Sequence, residues 1–303
     1  MKIFVTGASG HIGSYVTKEL IETGHQVLGL ARSDESEQRL KNMGAESIRG
    51  SLNDLNIIKE AAKSSDGVIH LAFRHDIAFS GKMDEAIAID LKVLKAIAQG
   101  LEGSNKPLVG TSGTLMLSFA GLGRTGLESD VLDMPGRVAN ENFVIGLAEK
   151  NIRSSVIRLA PTVHGPHDGV GGFIPTLIKI AHEKGVSAYI GEGDNVWPAV
   201  HEIDAAHLYR LAVESAPAGT RLHGVADEAV EFRSIAKTIA DKLDVPTKSI
   251  NPEEAESHFA PLGMFAGLSN PTSSKATQLL LNWHPAHPGL IEDLQSGNYF
   301  DAY

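Results

Sequence analysis

A chain of 303 residues, 42% of them hydrophobic, is long enough to bury a sizeable core, and with no cysteine it has no disulfide, no thiolate metal site and no cysteine nucleophile. Its net charge of −10 and the lack of any extended Lys/Arg run exclude a nucleic-acid partner. No apolar stretch reaches the ~18 residues of a membrane span, and the chain opens directly on an apolar strand pattern, so a soluble cytoplasmic protein with no membrane partner is expected.

In chain order, the first apolar run, Ile3 to Val5, leads into Thr6-Gly7-Ala8-Ser9-Gly10-His11-Ile12-Gly13 and a helical stretch from Ile12 to Thr23. Three glycines so spaced between a strand and a helix are the pattern of a dinucleotide-binding loop, an ordinary glycine-rich turn being the other reading. Gly7 permits the tight turn, Gly10 lets the backbone approach the pyrophosphate, and Gly13 lets the helix pack on the sheet; Ser9, His11 and Ile12 complete the cradle. The second run, Val27 to Leu30, ends in Ala31-Arg32-Ser33. An acidic residue here would grip the ribose diol of NAD, whereas an arginine accommodates a 2′-phosphate. Arg32 and Ser33 thus point to NADP, with Asp34 beside them and a plain solvated charge as the other reading of Arg32.

Further runs at Ser47 to Arg49, Gly67 to Leu71, Leu108 to Gly110 and Ser155 to Leu159 alternate with helical stretches, among them Met83 to Gln99 and Pro135 to Lys150, the latter with Pro135 near its start. This alternation predicts a doubly wound parallel α/β sheet of the Rossmann type over residues 1–165, joined by parts of 195–225. The loop-like composition from Gly165 to Gly172 places a change there to a smaller, mainly C-terminal substrate-side region, 166–303. Helical segments are expected in it at Phe173 to Glu183, Asp204 to Glu214, Phe232 to Leu243 and Pro252 to Leu262.

These motifs resemble the extended and atypical short-chain dehydrogenase/reductases, the superfamily that includes sugar epimerases and dehydratases. Asp66-Gly67-Val68-Ile69-His70-Leu71-Ala72 is similar to that family's fourth strand, Arg158 to Pro166 to its segment beside the nicotinamide, and Val200-His201-Glu202-Ile203-Asp204 to an extended-type marker. The resemblance implies cofactor contacts at Leu71, Ala72, Phe73, Thr111, Pro161 and Val163, and places Ser51 and Leu52 near the adenine. It also implies a Tyr-x-x-x-Lys pair, yet of the 5 tyrosines none is followed four residues later by lysine. Aligned on Glu141, the lysine position holds Arg137 and the tyrosine position Asp133. Arg137 can bridge ribose or phosphate but cannot trade protons, and Asp133 is read as a helix-start residue. The family's catalytic hydroxyl falls on Gly113. Its neighbours Ser112 and Thr114 could each donate to a carbonyl oxygen or simply satisfy a strand-end turn.

Histidine is the remaining candidate acid, and of the 13 present His75 and His164 lie where ligands bind or in the nicotinamide-side segment; each also admits a purely structural reading. His201 is read as structural, and Trp197-Pro198 as core filling or a pocket wall. No His-Glu-x-x-His helix is present, and no metal is expected. Phe259, Met264 and Phe265 could line an apolar pocket or pack a core. The expected function is an NADP-dependent oxidoreductase acting on a small carbonyl or conjugated substrate. A non-catalytic NADP-binding redox sensor is the alternative, and a sugar-nucleotide epimerase or dehydratase the weaker one. A homodimer is expected by analogy alone.

Overall fold

In a computed structural model, described over residues 1–165 and 172–301, each expected apolar run is a strand. β1 (Lys2–Thr6), β2 (Gln26–Ala31), β3 (Glu46–Arg49), β4 (Gly67–His70), β5 (Pro107–Gly113) and β6 (Arg153–Leu159) are followed by β7 (Thr162–His164), β8 (Ser187–Ile190), β9 (Val196–His201), β10 (Thr220–Gly224), β11 (Asp227–Glu231) and β12 (Thr247–Ile250). The helices are α1 (His11–Glu22), α2 (Asp34–Asn42), α3 (Leu55–Ser64), α4 (His75–Phe79), α5 (Met83–Leu101), α6 (Leu115–Phe119) and α7 (Arg137–Gly146). They continue with α8 (Phe173–Lys184), α9 (Glu202–Ser215), α10 (Phe232–Leu243), α11 (Ala255–Phe259), α12 (Gly263–Ala266), α13 (Lys275–Leu281) and α14 (Leu290–Ser296).

The main sheet is parallel throughout, seven strands in the order β10-β6-β5-β4-β1-β2-β3. Ile3, Phe4 and Val5 are all fully buried because both faces are covered, which is why the strands read as continuous apolar runs. Val16 and Leu20 of α1 and Leu208 and Tyr209 of α9 share the core on one face. Ile58 of α3, Val93 and Ile97 of α5 and Val144 of α7 share that on the other. The strand order reverses between β1 and β4, so a crevice opens at the carboxyl ends of those strands, where such sheets bind ligands. The C-terminal elements form a third core around Trp197, Phe232 and Phe259 and carry two small sheets, β11-β9-β7 and β12-β8.

Two local expectations need correction. Pro135 and Asp133 stand ahead of α7 rather than in or at the start of it, because Gly136 occupies the N-cap with φ of 76°, a conformation that only glycine enters cheaply. The helix expected from Pro252 to Leu262 is a 3-10 turn plus α11, and it ends at Phe259 because Ala260 precedes Pro261 and leaves the helical region. Trp197 is buried, edge-on to Phe173 and Phe232, with its indole N–H donating to Leu268 O at 3.2 Å; it fills core. The composition change placed between Gly165 and Gly172 falls almost wholly on 166–171, outside the described residues. Among the described residues no helix is long and apolar enough to cross a membrane.

Candidate cofactor and active site

The glycine loop turns at the carboxyl end of β1. Gly7 has φ of 76°, and its carbonyl accepts from Gly10 N at 2.9 Å. A Cβ on Gly13 would collide with the Gly7 carbonyl oxygen and approach its carbon to 2.8 Å, so the close packing of α1 on the loop depends on glycine there. A Cβ on Gly10 would meet only Gly7 O, at 3.2 Å, and otherwise project into open space. Gly10 is also the N-cap of α1, where no side chain caps the helix and no acidic residue stands in the first turn. The donors of that turn are thus available to an anion, and the space before Gly10 is the cradle a pyrophosphate requires. Next in the loop, His11 is tied to α9, its Nε2 lying 2.7 Å from Oε2 of the fully buried Glu202. Ser9 and Ile12 flank these positions, both half-buried.

At the end of β2, Ser33 caps α2, accepting from Ser36 N at 3.2 Å. Asp34 turns to Arg49 at 2.7 Å, which leaves Arg32 exposed and without an ion-pair partner among the described residues. After β3, Ser51 donates to Asp54 through its backbone N at 2.7 Å and its hydroxyl at 2.8 Å, and those bonds hold the Asp54 carboxyl below the usual range. Leu52 packs on the core beneath.

A polar network runs under the ends of β1, β4 and β5. Thr6 Oγ1 lies 2.7 Å from His70 Nδ1, and His70 Nε2 lies 3.0 Å from Asp90 Oδ1. Asn140 Nδ2 donates to Asp90 Oδ2 at 2.7 Å. Burial alone would raise the Asp90 pKa, but the bonds from His70 and Asn140 and the nearby Arg137 charge outweigh it and hold the carboxylate below its ordinary value. Arg137 opens α7, donating from Nη2 to Thr111 O at 3.3 Å, with its guanidinium carbon 4.2 Å from the centre of the Phe73 ring. The Thr111 hydroxyl donates to His70 O at 2.8 Å and lies 2.8 Å from the hydroxyl of the buried Tyr209. Leu71 and Ala72 carry the chain from β4 to Phe73, their N–H groups donating to Thr6 O and Thr6 Oγ1.

The candidate acid and hydroxyl residues separate clearly in space. His75 is exposed at the start of α4, edge-on to Phe73 at 5.1 Å and stacked on Phe79 at 5.8 Å. Partial desolvation by these rings, together with the Arg137 charge, lowers its pKa from the usual imidazole value. Ser112 is buried on the α7 side of β5, and Thr114 is fully buried, its hydroxyl accepting from Asn270 Nδ2 at 2.9 Å. Between them Gly113 is open: a Cβ there would meet only Leu159 O, at 3.8 Å. His164 is buried, with Nδ1 2.8 Å from Asp293 Oδ2 and its ring edge-on to His201. Val163 on the same strand packs against the α1/α9 core, and Pro161 is half-buried just ahead of it. Phe73, His75, Arg137 and Gly113 thus gather at the ends of β4 and β5, whereas Ser112, Thr114 and His164 point into the protein. The Asp90–Asn140 bond and the His11–Glu202 pair were not anticipated from sequence. Asp90 interrupts the otherwise apolar buried face of α5, and Glu202 with Asp204 interrupts that of α9, which is the pattern that marks them.

Residues 1–100 match the profile of the NmrA-like family. Uncharacterized protein C2A9.02 of Schizosaccharomyces pombe is 44% identical over 302 residues, covering 99% of this chain and 100% of that protein. The sterol-4-alpha-carboxylate 3-dehydrogenase, decarboxylating, of Dictyostelium discoideum is 27% identical, covering 82% of this chain and 78% of that enzyme. Among solved structures, MoeE5 in complex with UDP-glucose and NAD superposes with a TM-score of 0.77 at 20% identity, covering 100% of this chain and 99% of that one, and so shares the fold. Matched from end to end at 44% identity, the chain belongs to one family with the fission-yeast protein; its first third matches the NmrA-like profile, and its fold is that of MoeE5.

Proposed function

We propose that this protein is an NADP-dependent oxidoreductase that reduces, or in reverse forms, a carbonyl or conjugated carbonyl group. The observation that carries the reading is the uncapped, glycine-lined start of α1, in line across the sheet ends with Arg137 and the open face of Gly113. The exposed Arg32, without an ion-pair partner among the described residues, supports the phosphorylated cofactor, with Asp34 turned toward Arg49. The dehydrogenase among the relatives and the NAD in the MoeE5 complex support the same class.

When bound, the cofactor supplies the electron pair and hydrogen that convert C=O to CH–O⁻; the protein must hold it, orient the substrate and deliver one proton to oxygen. Arg137 is placed to fix the ribose and to offset charge on the developing oxyanion, but it does not titrate. His75 is the accessible proton carrier, fed by solvent, whereas His164 is closed off by Asp293. Binding of NADPH and its consumption with aldehydes, ketones and enones tests the proposal. Turnover with at least one class supports it, and tight NADPH binding with no turnover across all three refutes it.

A second reading has an observation of its own. Tyr209, the tyrosine bonded into this network, has its hydroxyl buried against Thr111, and burial pushes its pKa far upward, so it is no proton donor. A protein that binds NADP without turnover, as a redox sensor, would discriminate between NADPH and NADP⁺ by affinity and change shape with one of them. Equal affinity and no change in shape would remove that reading.

A further inference from the structure

We propose that the cleft beside the cofactor takes a neutral, largely apolar carbonyl compound, an aryl or long-alkyl ketone or enone without phosphate; this rests on the oxidoreductase reading and specifies its substrate. Among the described residues only two phenylalanines are exposed, Phe79 at 61% and Phe119 at 40%, and they sit on α4 and α6, the helices that directly follow the neighbouring strands β4 and β5. Large aromatic surface left in water at the ligand-binding edge of a sheet marks a surface meant to be covered.

Each ring belongs to a wall. On one side Phe73, His75 and Phe79 stack in succession, with Arg137 over Phe73. On the other, Phe119 lies 6.4 Å from Phe265 of α12, and Phe265 lies 5.5 Å from Phe173 at the start of α8, which carries the wall onto the C-terminal elements. Met264, 63% exposed, extends its rim with an adaptable side chain.

The charges argue against a nucleotide-linked substrate. A substrate diphosphate is commonly met by arginine or lysine donors in addition to backbone N–H groups. Arg74 donates from Nε and Nη2 to Asp76 at 2.8 and 2.7 Å, and that carboxyl is held at about 2, fully ionised. Arg124 is likewise bidentate on Asp130, at 2.9 and 2.6 Å. Of these three arginines, Arg137 alone has no carboxylate bonded to it among the described residues, and it lies beside Phe73, within reach of the cofactor ribose or one carbonyl oxygen.

The test is competition in the NADPH-loaded protein among an aryl alkyl ketone, a long-chain enone and UDP-glucose, read by thermal shift and by cofactor consumption. The expected result is binding or turnover of the apolar carbonyls and none of UDP-glucose. Phe79→Ser and Phe119→Ser, at exposed positions that fold, should each raise KM about tenfold while the NADPH Kd stays within twofold. Binding of UDP-glucose alone, or an unchanged KM in both variants, overturns the substrate assignment while leaving the cofactor reading intact. Failure of NADPH itself to bind would instead remove the reading on which it rests.

Discussion

The sharpest perturbation of the cofactor site is Gly13→Ala, a single methyl group at the start of α1. Its Cβ would lie 2.8 Å from the Gly7 carbonyl carbon and 3.0 Å from Ala8 Cα, and closer still to the Gly7 oxygen, where carbon and carbonyl oxygen need about 3.3 Å. Neither neighbour is a flexible side-chain end, so the helix start or the Gly7–Gly10 turn must shift as a unit. That shift misaligns about two charge-assisted donors to phosphate, each worth roughly 1.5–3 kcal/mol, and the expected loss of NADPH affinity is about 100-fold or more. Gly10→Ala is the companion, because its methyl group meets only Gly7 O at 3.2 Å and projects into the cradle; it should fold normally and still weaken binding at least tenfold. Gly113→Ala is the control, with its nearest atom at 3.8 Å, and should leave NADPH affinity within twofold. Calorimetric titration reads all three, with thermal melts to establish folding. If Gly10→Ala and Gly13→Ala, both folded, bind NADPH as the parent does, the pyrophosphate does not sit at this turn and the site has been misplaced.

Four further outcomes follow from the same geometry. Arg32→Ala removes an exposed donor pair, and a loss near the lower end of the charge-assisted range predicts about tenfold weaker NADPH binding with NADH unchanged; an equal loss for both nucleotides would disprove the 2′-phosphate contact. His75→Gln should lower the rate of carbonyl reduction and abolish the rise expected as pH falls through the depressed His75 pKa, and a wild-type pH profile in that variant would exclude His75 as the proton carrier. Glu141, buried, accepts from Arg158 at 2.6 Å and from Arg221 at 2.8 Å; Glu141→Ala strands both cations at a cost of about 3–5 kcal/mol, or roughly 5–8 °C in Tm for a chain of this length, and a drop under 2 °C would show the network to be idle. Burial lowers the pKa of His201 and His223, while hydrogen bonds and neighbouring charges lower those of Asp90, Glu141 and Asp293 against the opposing effect of burial. A group depressed in the folded state stabilises above its unfolded pKa and loses that contribution as pH falls through the folded value. Tm should therefore be flat above about pH 7, fall first below about 6.5 and again below about 4; a Tm constant from pH 7 to 5 would contradict the histidine part.

The sheet was legible because β1, β2, β4, β5 and β6 are covered on both faces and are mostly buried, and the glycine loop because steric demands at Gly7 and Gly13 admit one residue type. Helix ends were less legible where a single backbone angle decides them, as Gly136 does for α7. The active-site hydroxyls show a different limit. Ser112 and Gly113 end β5, where the pleat puts them on opposite faces, while Thr114 already has helical backbone as the N-cap of α6; both hydroxyls are buried and the glycine is left open. Long-range partners such as Asp293 on His164 and Glu202 on His11 lie 129 and 191 residues away in sequence, a pairing that no local pattern encodes.

The replacements at the active end are mutually consistent. With glycine at position 113 no hydroxyl polarises the carbonyl from β5, and with arginine at 137 the helix offers a fixed charge in place of a titratable one. The Arg137 guanidinium lies over the Phe73 ring that meets His75 edge-on, so on the proposed reading ribose positioning and substrate enclosure would share one side chain. Such a site has little to offer chemistry that repeatedly removes and returns a hydroxyl proton, as epimerisation does, and suits a reaction in which the proton arrives once, from solvent, through an exposed imidazole. The same economy accounts for Glu202: fully buried at the start of α9, it fixes His11 of the cofactor loop to a helix whose next residues pair with the C-terminal segment through Asp204 and His287. A shift of the glycine loop would reach α9 through the His11–Glu202 pair as well as through the packed faces of α1 and α9.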